Sequence, residues 1–185
     1  MADDKCYVML SLEKVKELGK ELPVDESALT DLLNILKHGG SDKDLCFEVI
    51  RVLRNTASMK SSQSFLLSDP ENFITWFFPV STSPVFSSQD ELGRKLRRFL
   101  WQFLYNVSVG QESFQAFLWK SNSFKDSFFS LLEQSDDAQL KNVLFGIAYL
   151  RLKQENLVWI KNCLPFYTGF DTVWDTKLAI IWKYI

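Results

Sequence analysis

The amino-acid sequence predicts an all-α protein, about three three-helix repeats stacked as a solenoid behind an N-terminal capping hairpin. Two observations carry that expectation. Beyond the basic opening at Arg94, residues Leu96, Phe99, Leu100, Phe103, Leu104 and Val107 recur at helical spacing, and Trp101 and Tyr105 add a second apolar side. Only Arg98, Gln102 and Asn106, stacked along one face, leave a polar stripe. A helix enclosed on all but one stripe reads as the middle layer of a helical stack. The second observation is that the pattern recurs. Aligning Asn55 with Asn106 superposes Val49 on Leu100, Leu53 on Leu104, Thr56 on Val107 and Arg51 on Gln102. Val143, Ile147 and Leu150 continue the same apolar columns downstream, where Tyr149 takes the asparagine position. Each copy is followed by an apolar knot: Phe65, Leu66 and Leu67, then Phe117, Leu118 and Trp119, then Leu157, Val158 and Trp159. Those intervals fit three helices per unit.

Composition supports helices over sheet. Sixteen phenylalanines and six tryptophans stand against seven glycines and five prolines, which favours large side chains packed between helices over a turn-rich β-fold. With 185 residues and 46% hydrophobic content, one well-buried domain over 1–185 is expected. It divides into a cap at 1–40, a first repeat at 41–87, a second at 88–134, and a third with the start of a further unit at 135–185.

In chain order, residues 10–22 form a capping helix, with Leu12, Val15 and Leu18 on one face and Glu13, Lys14, Lys16, Glu17 and Lys20 on the other. After Pro23, Leu29, Leu32, Leu33 and Leu36 make a second amphipathic helix that Gly39 and Gly40 stop. His38 lies at its end, an ordinary dipole partner. Ser41 and Asp44 can cap the first repeat copy. Residues 60–64 read as a turn. Asp69 and Pro70 signal a helix start, and Pro79 is expected to end that helix after Phe78. The stretch 79–88, with Pro79, Pro84 and many hydroxyl residues, reads as a surface loop. Ser88 and Glu91 then suggest a capping box for the central helix. A short linking helix over 111–120 follows, then a helix opened by Ser123, then Ser135, Asp136 and Asp137 capping the third copy. The tail is apolar to its last residue, whereas a solenoid end should carry a polar face. It is therefore expected to begin a further repeat and to self-associate or meet a missing neighbour.

No catalytic constellation emerges. There is one histidine, no nucleophile elbow and no glycine-rich phosphate loop, so an enzyme is not expected, and neither is a cofactor. Asp136 and Asp137 fit first-turn capping better than paired carboxylate catalysis, which needs a converging partner. Cys6, Cys46 and Cys163 are odd in number and lack zinc spacing, so reduced thiols in a cytoplasmic protein are expected, with no metal site. A net charge of −2 argues against nucleic acid as the main partner. The basic cluster Arg94, Lys95, Arg97 and Arg98 reads as a solvated turn balanced by Asp90 and Glu91. The longest uncharged run, 72–89, holds two prolines and many serines and does not fit a membrane helix.

The segments LCFEVIRVLRNTASMKSSQSFLL (45–67) and FLWQFLYNVSVGQESFQAFLW (99–119) resemble the paired armadillo-type repeats at the N-terminal end of the ataxin-10 family. The resemblance covers most of the chain and is firmest over 45–67 and 94–152. Asn55 and Asn106 stand where that family places its repeat asparagines, and Tyr149 departs from the pattern. The resemblance implies an armadillo/HEAT-like, right-handed superhelical solenoid. It also implies a cytoplasmic, non-enzymatic scaffold concerned with cell division, specifically cytokinesis, and with neurite growth and neuronal survival. The family carries a second armadillo-like region that this sequence does not contain. The alternative is an unrelated armadillo or HEAT adaptor for transport or complex assembly.

Stacked units of this kind line a concave surface with their third helices. Arg51, Asn55, Arg98, Gln102, Asn106, Phe145 and Tyr149 are the candidate partner-binding residues. Their amides and rings suit the backbone and side chains of an extended peptide from another protein. Asn55 and Asn106 could equally tie off backbone groups between neighbouring repeats.

Overall fold

The computed structural model describes residues 10–38 and 41–152, and every regular element among them is helical. The helices are α1 (Leu12–Leu18), α2 (Glu26–Lys37), α3 (Lys43–Thr56), α4 (Lys60–Leu66), α5 (Pro70–Thr82), α6 (Pro84–Ser87), α7 (Glu91–Ser108), α8 (Glu112–Lys120), α9 (Asn122–Gln134) and α10 (Ala138–Leu152). The apolar knot at Leu157, Val158 and Trp159, the tail, Cys6, Cys163 and the Gly39–Gly40 stop lie outside the described residues.

The longest helix, α7, packs against α3 on one side and α10 on the other. A second set of contacts joins α2 to α5 and α5 to α9. The short helices α4 and α8 connect the two sets, each touching α7. The column residues meet the burial their periodicity demanded: Val49, Leu53, Thr56, Leu100, Leu104 and Val107 are all inaccessible, and Ile147 nearly so. Val143 and Leu150 are the exceptions, both only partly buried. Beside Val143, the adjacent Leu144 takes the inaccessible place, so the third copy is rotated relative to the alignment.

Between the rows lies an aromatic cluster. Phe73 contacts Trp76, Phe77, Phe103 and Phe114, while Trp101 lies edge-on to Phe77 and tilted against Phe124 and Phe128. Trp119 closes the far end, edge-to-face on Phe124 at 4.6 Å. Such pairs add roughly 0.5–1.5 kcal/mol each beyond the area they bury.

The stretch 79–88 is folded, which overturns the loop expectation. Helix α5 continues through Pro79 to Thr82, and α6 follows at once. Pro79 removes one helical N–H, but its ring is exposed, and the burial of Phe77, Phe78 and Val80 on the other side offsets that loss. Phe86 is 2% exposed. Arg97 reaches back from α7, Nε donating to Phe86 O at 3.0 Å and Nη2 to Ser88 O at 3.1 Å. Arg97 is therefore buried, and the basic cluster is not uniformly solvated. Gly93 makes this approach feasible, since a Cβ there would stand 2.5 Å from Ser88 O.

Several boundaries also differ. Residues 60–64 begin helix α4 and do not turn, because Ser62, Gln63 and Leu66 are buried. The predicted capping box at Ser88 and Glu91 is absent. Asp90 is the N-cap of α7, its Oδ1 accepting from Gly93 N at 2.7 Å. Ser88 Oγ donates instead to Asp90 Oδ2, and Lys43 Nζ bonds both Ser88 Oγ and Asp90 Oδ2. Asp42, not Ser41 or Asp44, caps α3, and Ser121, not Ser123, caps α9. Asp137 caps α10 through Gln139 N and Leu140 N, as first-turn acids should. Among the described residues no helix is long and apolar enough to cross a membrane.

Candidate partner-binding groove

Helices α3, α7 and α10 share an outward face, and a groove of about 470 Å³ runs across it. Phe47 comes from α3; Lys95, Arg98, Phe99 and Gln102 from α7; Gln139, Asn142 and Val143 from α10. The α7 residues face one way because they follow helical spacing. Phe47 and Phe99 stack with ring centroids 5.2 Å apart. Over Phe99, at 4.1 Å, lies the guanidinium of Arg54, a cation–π arrangement between α3 and α7. Arg54 Nη1 also donates to Gln102 Oε1 at 3.3 Å. Burial, and the nearby charge of Arg51, push the Arg54 guanidinium below its usual pKa.

Of the seven candidate residues, the structure brings Arg98 and Gln102 into this groove. The other five do not line it. Arg51 turns to Glu48, pairing at 2.7 Å, and lies against the end of α1, where a Cβ on Gly19 would meet its Nη2. Asn55 Oδ1 accepts from Arg54 Nε at 3.0 Å and Nη2 at 2.8 Å. Asn106 Nδ2 donates across the α3–α7 boundary to Arg54 O at 2.7 Å, while its own carbonyl accepts from Gln63 Nε2 at 2.8 Å. Asn106 thus ties α7 to α3 and α4. Phe145 packs half-buried against the core, and Tyr149 is 55% exposed beyond the groove.

Sequence reasoning missed Phe47, Lys95, Phe99, Gln139, Asn142 and Val143 as groove residues, and Arg54 as the cation over Phe99. The periodic pattern places Phe99 with the core because it lies beside Leu100. The usable signal was Lys95, Phe99 and Gln102 on one α7 stripe, adjoining the stripe of Arg98, Gln102 and Asn106.

A second cavity, about 600 Å³, opens beside Arg94, Arg97 and Arg98 against Asp136, Asp137 and Leu140. Its charges oppose one another, and Asp137 is engaged with backbone amides, so that acid serves structure. A third, about 210 Å³, lies between α2, α4 and α5, where Lys37 sits 5.7 Å over the Trp76 ring. No group of three or more His, Cys, Asp or Glu side chains placed to hold a metal occurs among the described residues. Cys46 is a buried thiol whose pKa burial and Asp42 push up to about 11.

Compared with known proteins, the chain matches no family model, no curated protein and no solved structure. The described residues define an all-helical protein with a polar and aromatic groove across three of its helices.

Proposed function

We propose that the chain is a non-enzymatic protein–protein interaction scaffold, an armadillo/HEAT-like superhelical solenoid whose α3, α7 and α10 are the equivalent third helices of successive units. The observation that carries this reading is the pair of helix rows, α3 to α7 to α10 and α2 to α5 to α9, with short α4 and α8 between them. A repeated unit of one short and two longer helices yields such rows, and each added unit extends the face of the first row. The partner is another protein, engaged as an extended segment along that face. The cellular setting, cytoplasmic with roles in cytokinesis and in neurite growth and neuronal survival, rests on the resemblance to the ataxin-10 family. Self-association through the C-terminal end belongs to the same reading, as does the absence of nucleic-acid and membrane partners.

Affinity capture tests it, using the wild type and a variant whose groove is charged by Gln102→Glu and Asn142→Glu. Enrichment of cell-division or neurite proteins by the wild type, lost in the variant, is the expected outcome. Subunits of one transport or assembly complex would favour the adaptor alternative. Equal capture by both proteins would contradict the assignment of the face.

A further inference from the structure

We propose that the groove receives an acidic extended segment, one carboxylate seated on Arg98 and a neighbouring apolar side chain laid against Phe47 and Phe99. This rests on the scaffold reading and narrows it to a ligand chemistry.

The charge distribution points to it. The whole chain carries a net charge of −2, yet Arg54, Lys95 and Arg98 gather around one groove. Arg54 spends its donors on the neutral amide oxygens of Asn55 and Gln102, so its charge is not balanced by an acid. Lys95 holds Glu91 at 2.7 Å, an exposed pair within one helix that a competing carboxylate can displace. Arg98 is the decisive residue. Its Nε is buried and has no hydrogen-bond partner among the described residues, and it enters none of their ion pairs. The side chain as a whole is only partly buried, so the cation it carries, unpaired among the described residues, is open to an outside acceptor through its Nη groups. A guanidinium is best satisfied by a carboxylate, which can take two parallel N–H bonds.

The surroundings select a peptide. Beside Arg98, the stacked rings of Phe47 and Phe99 and the partly buried Val143 offer apolar cover for a side chain. Gln102 and Gln139 bring amides that can bond an extended backbone. A nucleic-acid strand would need a longer run of phosphate-binding cations than three.

The test uses the full chain and short fluorescein-labelled peptides read by anisotropy. Each peptide carries one Leu or Phe in a Gly/Ser background, with Glu, Gln, Lys or phosphoserine a few residues away. The Glu peptide should bind about tenfold more tightly than the Gln peptide, and added salt should shrink the difference. Arg98→Gln should abolish the Glu preference, whereas Phe99→Leu should weaken Glu and Gln peptides alike and leave the preference. Unchanged far-UV circular dichroism checks the fold of both variants. Should Arg98→Gln fail to fold, Arg98→Lys supplies the second reading, expected to keep the preference for Glu in weakened form. Equal binding of Glu and Gln peptides overturns the inference while leaving the scaffold reading in place. Tighter binding of the Lys or phosphoserine peptide, or displacement by a poly(U) oligonucleotide, also overturns it. Binding of no peptide at all overturns it too, and the capture experiment with the charged-groove variant then decides whether the scaffold reading survives.

Discussion

Asn106 shows how one side chain was legible by position and not by role. Its periodic place marked it as special, but the sequence could not say whether its amide faced a ligand or a neighbouring helix. The 2.7 Å bond to Arg54 O decides for the tie. Replacing Asn106 by Ala should therefore cost roughly 1–3 kcal/mol, by leaving that carbonyl short of a donor, with the loss visible in denaturant titration. A variant that kept full stability but lost partner binding would return Asn106 to the groove. Asp90 offers a second residue-level test. Lys43, the Gly93 amide and Ser88 hold its carboxyl well below the usual carboxylate range. A depressed folded pKa contributes stability above the unfolded value, near 4, and loses it as pH falls toward the folded value. Asp90→Asn keeps a competent N-cap and removes the charge. It should melt below the wild type near neutral pH, and the gap should narrow below about pH 4 and at high salt. A gap that stayed constant with pH would mean the ion pair contributes nothing.

At the scale of elements, the long helices were readable because periodic burial demands periodic residues. Helix α7 and its counterpart α3 fall where the apolar columns placed them. The region 79–88 was not readable, because local chemistry and tertiary packing disagree there. Prolines and serines argue for a loop, while Val80 and Phe86 find buried sites and Arg97, from the helix that follows, supplies bonds to carbonyls that a loop would have left to water. It follows that Arg97→Gln should release α6. Limited proteolysis should then cut between 83 and 90 at a protease concentration that leaves the wild type intact. Identical digestion patterns would show that Arg97 does not hold the segment. Pro79→Ala should stabilise α5, by up to about 3 kcal/mol, since the restored N–H can bond within a helix already formed. A drop in melting temperature would mean instead that Pro79 fits its site in a way the helix geometry does not express. The aromatic cluster should be the costliest place to cut. Phe128→Ala, with its ring packed on Trp101, Trp119 and Phe124, should lose about 3–5 kcal/mol.

For the molecule as a whole, helix class followed from composition and periodicity, and the pairing of α3 with α7 from the aligned columns. The groove's chemistry did not follow. It depends on which partly buried residues of three separate helices meet, and periodicity treats Phe99 as core whether or not Phe47 stacks upon it. Arg98 is visible in the sequence as a basic residue on a polar stripe, but that its Nε is buried without a partner exists only in three dimensions. The central claim is that the α3–α7–α10 face is where partners bind. Site-specific photo-crosslinking addresses it most directly, with a photoreactive residue placed at Gln102 or Asn142 on that face, or at Glu71 or Thr75 on the exposed side of α5. Adducts with a partner protein from the first pair of positions and none from the second are the predicted result. Adducts formed from α5 and absent from Gln102 and Asn142 would contradict it.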